Sequence, residues 1–297
     1  IKGWQSRRLA RQAFAMIDQK QWSEANAKAR DAYLLCPSEP EAWRAIARLL
    51  SRTGQGTGAL EWWKKVDEEH RLTLEDRRDF AKAALAAGEL TTAATQIDQL
   101  LAQRVGPQPV DILLGGQLAA RRNDALLAVD YAQRTLADKR TKPYDILSAA
   151  VLVLSVTRTD SPPRLSAWKR IEDLARDPQN AASLDSLVFL AQQQSLAPSR
   201  VSSGDISLSP GAGGPAARQP AATIGLLEIA DALEKHPDAR PYHQLLALQL
   251  RAQHDPALTD QYVADAVERF GRPLQKDFRV VAPGSRRETP GSFSATH

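Results

Sequence analysis

A spacing that recurs every 34 residues leaves this chain few folds to choose from. In the stretch from Pro40 to Thr73, Trp43, Ile46, Ala47 and Leu50 fall on one helical face. Pro40 and Glu41 suit a first helical turn, where proline's missing N–H costs nothing and an acid meets the positive end of the helix dipole. Gly54, Gln55 and Gly56 interrupt the pattern, and Ala59, Leu60, Trp63 and Val66 mark a second amphipathic helix. The stretch reads as a helical hairpin with apolar residues on both of its faces.

The same register recurs on either side. One step back gives Leu9, Gln12, Ala13, Met16, Trp22, Ala25, Ala29, Ala32 and Pro37. One step forward gives Arg77, Phe80, Ala81, Ala84, Gly88, Leu90, Ala93, Ile97 and Leu100. A further step, longer by one residue, gives Ile112, Gly116, Ala119, Asn123, Ala125, Ala128 and Ala132. A single hairpin leaves one apolar face uncovered, so these units must stack on one another.

A bulky residue with a small one beside it, a glycine-type turn, then a small residue and an aromatic, is the order carried by Trp43, Ile46, Ala47, Leu50, Gly54, Ala59 and Trp63. It resembles the tetratricopeptide repeat. The resemblance implies an all-α fold: a right-handed α-solenoid of stacked antiparallel helix pairs, about seven hairpins in this length. Four regular hairpins are expected over residues 6–142, and divergent ones over 143–270. Composition agrees with helices: hydrophobic residues make up 43%, aromatics only 6%, and alternating β-type segments are lacking.

Two stretches stand outside the pattern. Residues 195–222 are rich in Ser, Pro, Gly and Ala, with too little apolar content to offset ordering, and are expected to form a flexible insertion. Residues 271–297, broken by Pro273, Pro283 and Pro290, are expected to form a disordered tail, with Phe278, Val280 and Val281 available to fold back as a cap. A polar capping helix is not evident at this end, which raises the expectation of self-association there.

Catalytic and cofactor chemistry finds no support in the motifs. None of the five histidines belongs to an HExxH zinc pattern, and the glycines at 211–214 match no phosphate-loop spacing. The lone Cys36 excludes an internal disulfide and a multi-cysteine metal cluster, and its place before Pro37 suggests a buried spacer. The expectation is a non-enzyme with no cofactor and no metal. The longest uncharged apolar run, Ile146 to Val156, falls well short of the ~20 residues that span a bilayer. Lys2, Trp4, Arg7 and Arg8 resemble the basic, aromatic flank of a membrane helix, so an upstream anchor is one expectation and an ordinary first helix the other.

The informative charges lie on the first helix of each hairpin. Arg44, Arg48 and Arg52 form an i, i+4, i+8 ridge, and Arg78 and Lys82 repeat it 34 residues later. Stacking would set these rows side by side in one groove. Arginine's planar fork suits carboxylates, so an acidic segment or a C-terminal carboxylate is the expected partner. In the tetratricopeptide family the first helices line the concave face, and this resemblance adds Gln117, Arg121 and, as an apolar neighbour, Phe14. Phe14 and Arg48 stand where the family's carboxylate-clamp members have asparagine. Three functions are thus in view: a protein-interaction scaffold with a basic groove, nucleic-acid binding through the same face, and a structural assembly module. A plainer alternative is a solvated helix face on which Glu41 pairs with Arg44 and Glu75 with Arg78.

Overall fold

The computed structural model describes residues 2–69, 72–196 and 224–271. Among these residues there are fourteen α-helices, one short 3-10 turn and no strand. Most of the 195–222 insertion and all of the tail beyond Gly271, with Phe278, Val280 and Val281, lie outside the described residues. The chain divides into two compact units, with the boundary between Ser186 and Leu187.

The first unit is a run of hairpins. They are α1 (Lys2–Asp18) with α2 (Trp22–Leu35), α3 (Pro40–Arg52) with α4 (Gly56–Glu69), and α5 (Leu74–Ala87) with α6 (Leu90–Leu101). Then come α7 (Pro109–Arg121) with α8 (Ala125–Ala137), and α9 (Pro143–Val156) with α10 (Pro162–Arg176). Each helix packs on the next in sequence, and each first helix also packs on the following first helix: α1 on α3, α3 on α5, α5 on α7, α7 on α9. This is an α-solenoid of helix pairs, in which the first helices form one continuous inner layer.

The repeat is written into the backbone as well as the side chains. The turns between paired helices place Lys20, Gly54, Gly88 and Asn123 at equivalent points, and all four have positive φ: 60°, 78°, 80° and 61°. That left-handed conformation reverses the chain after a helix, and glycine or asparagine adopts it most readily. At the other end of the hairpins, proline opens α3, α7 and α9, and within the last hairpin it opens α10, each at a position where no amide hydrogen bond is lost.

The core follows the expected faces. Trp43, Ala47, Ala59, Trp63, Val66, Phe80, Ala84, Ile97, Leu100 and Leu114 belong to one buried cluster running from α3 to α7. Trp63 stacks on Phe80 with centroids 6.3 Å apart, and Trp62 meets Tyr33 of the previous hairpin edge-on at 5.3 Å. Around α1 the packing instead uses small residues, with Ala10, Ala13, Ala29, Ala32, Ala42 and Ala45 all fully or almost fully buried. Close approach is sharpest at Gly56, where a Cβ would lie 2.6 Å from the Ala86 methyl of α5.

Pro162, Pro163 and Arg164 form the first turn of α10, a place that tolerates proline. Arg164 also reaches back to the carbonyls of Leu154 and Thr157, capping the end of α9. Tyr131 turns into its own hairpin against Gly115 and Gly116, while Leu127 is exposed. Cys36 is half-buried, its thiol 3.7 Å from the Ser38 hydroxyl, rather than a buried spacer.

The second unit takes in the later part of α11 (Ser183–Leu196), then α12 (Leu226–Lys235), α13 (Pro241–His254) and α14 (Thr259–Phe270). Between α13 and α14, Pro256–Leu258 forms a 3-10 turn whose Ala257 amide donates to Asp255. Leu187, Leu190, Ile229, Leu233, Leu246 and Leu250 are buried. Glu234 on α12 accepts from Arg251 on α13 and Arg269 on α14, each at 2.7 Å. Among the described residues no helix is long and apolar enough to cross a membrane.

Candidate functional site

The inner layer carries the residues singled out by their spacing, and their surroundings differ along it. On α3, Arg44 contacts Asp76 of α5 and Glu41 of its own helix, the latter at 2.8 Å. Arg48 reaches Asp76 at 2.9 Å and Glu75 at 3.4 Å. Arg52 is paired with Asp18 of α1 at 2.9 Å and also with Glu75. On α5, Arg78 donates twice to Asp111 of α7, Nε to Oδ1 at 2.6 Å and Nη2 to Oδ2 at 3.0 Å. These four arginines therefore spend their charge on carboxylates of the neighbouring inner helices. The expected Glu75–Arg78 pair is not formed, since Glu75 faces back toward α3. Phe14 lies under the Arg48 guanidinium at 5.0 Å, so its ring is covered by that cation rather than open as an apolar pocket.

Asp76 shows why these contacts are firm. It is fully buried, and it caps its own helix by accepting from the Thr73 amide at 3.0 Å and the Thr73 hydroxyl at 2.7 Å. Burial disfavours its charge, but the Thr73 hydrogen bonds, Arg44 and Arg48 outweigh that and hold its pKa below the usual carboxylate value. Asp111 repeats the arrangement, accepting from the Gln108 amide at 2.9 Å while held by Arg78. Asp79 is different. It is buried, among the described residues its Oδ2 accepts no hydrogen bond, and the nearest cations, Arg52 and Arg48, stand 3.5 and 3.9 Å away. Burial, opposed by Arg52, Lys82 and Arg48, pushes its pKa up.

Further along, the C-terminal ends of α5, α7 and α9 surround an open pocket of about 710 Å³. Lys82, Leu85 and Ala86 come from α5, and Gln117, Ala120 and Arg121 from α7. Leu152, Ser155 and Val156 come from α9, and Asn123 and Ala125 complete the rim. Three of the expected residues thus come together: Lys82, named from the spacing, and Gln117 and Arg121, named from the resemblance. Lys82 and Arg121 are exposed, and among the described residues neither side chain forms a hydrogen bond or an ion pair. The field of Lys82 reaches Asp79 and Asp145. Basic residues suit helix C-termini, which carry partial negative charge.

The contribution of α9 was not anticipated, although one further step of 34 residues from Arg121 falls on Ser155. Of the acids that engage the arginines, Glu41 was expected beside Arg44, whereas Asp76 and Asp111 on the neighbouring helices were not. Asp76, Asp111 and Asp145 are each the third residue of an inner helix, a regularity visible in the sequence once the helix starts are known. Among the described residues no group of three or more His, Cys, Asp or Glu side chains is placed to hold a metal ion.

Comparison with protein-family models finds no match, and no curated protein matches the chain. What the fold itself defines is an α-solenoid of helix pairs.

Proposed function

We propose that the chain is a non-catalytic interaction scaffold of tetratricopeptide type, which holds an acidic or C-terminal segment of a partner protein against its inner layer. The observation that carries this reading is the pocket at the ends of α5, α7 and α9, which two exposed cations, Lys82 and Arg121, line together with Gln117, Leu152 and Val156. Its volume lies within the roughly 300–1,000 Å³ typical of ligand sites. The pairing of Arg44, Arg48, Arg52 and Arg78 moves the centre of the binding surface away from those residues and toward the α7 end.

The test is comparative capture with the full chain. Lys82→Glu with Arg121→Glu loses the partners that salt elutes from the wild type, while Arg134→Glu on α8, outside the pocket, retains them. Equal retention of the same partners by both variants refutes the assignment.

A further inference from the structure

The outward face of α1 joins a single sign of charge to a tryptophan. Ser6, Ala10, Ala13 and Ile17 are the buried stripe of this helix, which packs on α2 and α3. Trp4, Arg8, Arg11 and Ala15 each stand two residues earlier, about 200° round the helix from that stripe. All four are exposed, Trp4 by 61%. The Arg8 guanidinium lies over the Trp4 ring at 6.0 Å. Among the described residues neither Arg8 nor Arg11 forms a hydrogen bond or an ion pair. Asp18, the one acid of α1, is paired with Arg52, and Arg7 is drawn aside to Glu39.

Neither stacking nor helix stability accounts for this face. One repeat later, Arg8, Arg11 and Ala15 correspond to Ala42, Ala45 and Leu49, which α3 buries against residues of α1 and α2. A position that is small and apolar where hairpins meet thus carries two guanidinium groups on α1. A second copy of this face brought against it would bury unpaired cations of like charge. Basic residues also oppose the positive end of the helix dipole, and the first turn of α1 holds no acid to offset them. A polar end keeps a solenoid soluble, but an exposed indole works against that.

We propose that this face docks on an anionic lipid surface, with Arg8 and Arg11 at the headgroup phosphates and Trp4 in the interfacial layer. Charge complementarity selects an anionic partner. The indole selects a membrane, because tryptophan's amphipathic ring favours the headgroup level. The stripe runs nearly straight for about 16 Å, so the helix lies along a plane without needing a groove. The inference stands apart from the inner-layer reading, since none of Trp4, Arg8 and Arg11 lines the pocket.

The test is flotation of the full chain with vesicles of phosphatidylcholine alone or mixed with phosphatidylglycerol. Binding is expected to the anionic vesicles and not to the neutral ones, and it weakens as salt is added. Arg8→Gln and Arg11→Gln each weaken it about fivefold, as for one basic residue near such a surface. Both side chains lie opposite the packed stripe, so the helical circular dichroism stays unchanged. Brominated acyl chains quench part of the tryptophan emission of the wild type and less of it in Trp4→Phe. The pocket variant, Lys82→Glu with Arg121→Glu, retains vesicle binding, which separates this face from the groove. Failure to bind the anionic vesicles overturns the inference. So does binding that Arg8→Glu with Arg11→Glu leaves unchanged, or quenching undiminished in Trp4→Phe. Capture of duplex DNA or RNA that depends on Arg8 and Arg11, without vesicle binding, reassigns the face to nucleic acid and overturns it equally.

Discussion

Arg78 grips Asp111 through two parallel hydrogen bonds and so ties α5 to α7. Asp111 is fully buried and Arg78 largely so. Two-pronged pairing of this kind couples hairpins by direction as well as by charge, because the planar fork fits the carboxylate in one orientation. Arg78→Met leaves a buried carboxylate with only its capping amide. The expected cost is about 3 kcal/mol, the low end for breaking a buried pair from one side. A urea titration read as a shift in midpoint measures it. Arg78→Lys recovers only part of the loss, since an ammonium cannot reproduce the fork.

The two buried aspartates of α5 respond to pH with opposite signs. Asp76 has a folded pKa below its ordinary value of 3.8. Its contribution is complete above that value and is lost as pH falls through the folded pKa. Asp76→Asn therefore lowers Tm near neutral pH, and the difference from wild type shrinks in acid.

Asp79 has a folded pKa above 3.8, raised by burial. Folding favours its protonated form, so its contribution is full below 3.8 and is lost as pH rises through the folded pKa. Asp79→Asn mimics that protonated form. It raises Tm near neutral pH, and the gain fades as the medium becomes acidic; a fall in Tm near neutral pH contradicts this assignment.

Lys20 holds the left-handed conformation that Gly54 and Gly88 hold in the next two hairpins. A residue with a Cβ pays about 1 kcal/mol there, and part of that is returned as reduced freedom of the unfolded chain. Lys20→Gly is expected to stabilise the first hairpin by roughly 0.5–1 kcal/mol. Hydrogen exchange of the α1 and α2 amides resolves the gain locally.

Gly56 offers a test of packing that also touches the candidate site. Its added Cβ would sit 2.6 Å from Ala86, and Ala86 lines the pocket. Gly56→Ala forces α4 and α5 apart and costs about 1–3 kcal/mol, the usual range for overpacking. The paired change Gly56→Ala with Ala86→Gly restores most of the stability, which a double-mutant cycle quantifies.

The hairpins were legible because their evidence is local. Trp43, Ala47, Ala59 and Trp63 keep a fixed order within one repeat, and burial of that face is what the order encodes. The turn residues were legible for the same reason, down to Gly54 and Asn123. The state of the arginine ridge was not. Whether Arg48 is free depends on which residues of the neighbouring inner helix lie opposite it, and that offset is set by stacking rather than by spacing within one helix. Asp76 caps its helix through Thr73, a local relation, whereas its contacts with Arg44 and Arg48 exist only in the packed structure. Lys82, Gln117 and Arg121 follow from the register, whereas the α9 wall does not, because the repeat loosens past Pro143.

The recurrent aspartate at the third helical position has a bearing on how such an array can be shortened. Excising α5 with α6 would bring α3 against α7, and Asp111 would arrive where Asp76 had been. Arg44 would regain a counterpart, but Val110 and Leu114 would replace Glu75 and Asp79, leaving Arg52 with Asp18 of α1 alone. Hairpins of this chain are thus interchangeable along their central spine and individual at its margins, so a lost unit would leave the stack joined yet change what its inner surface attracts.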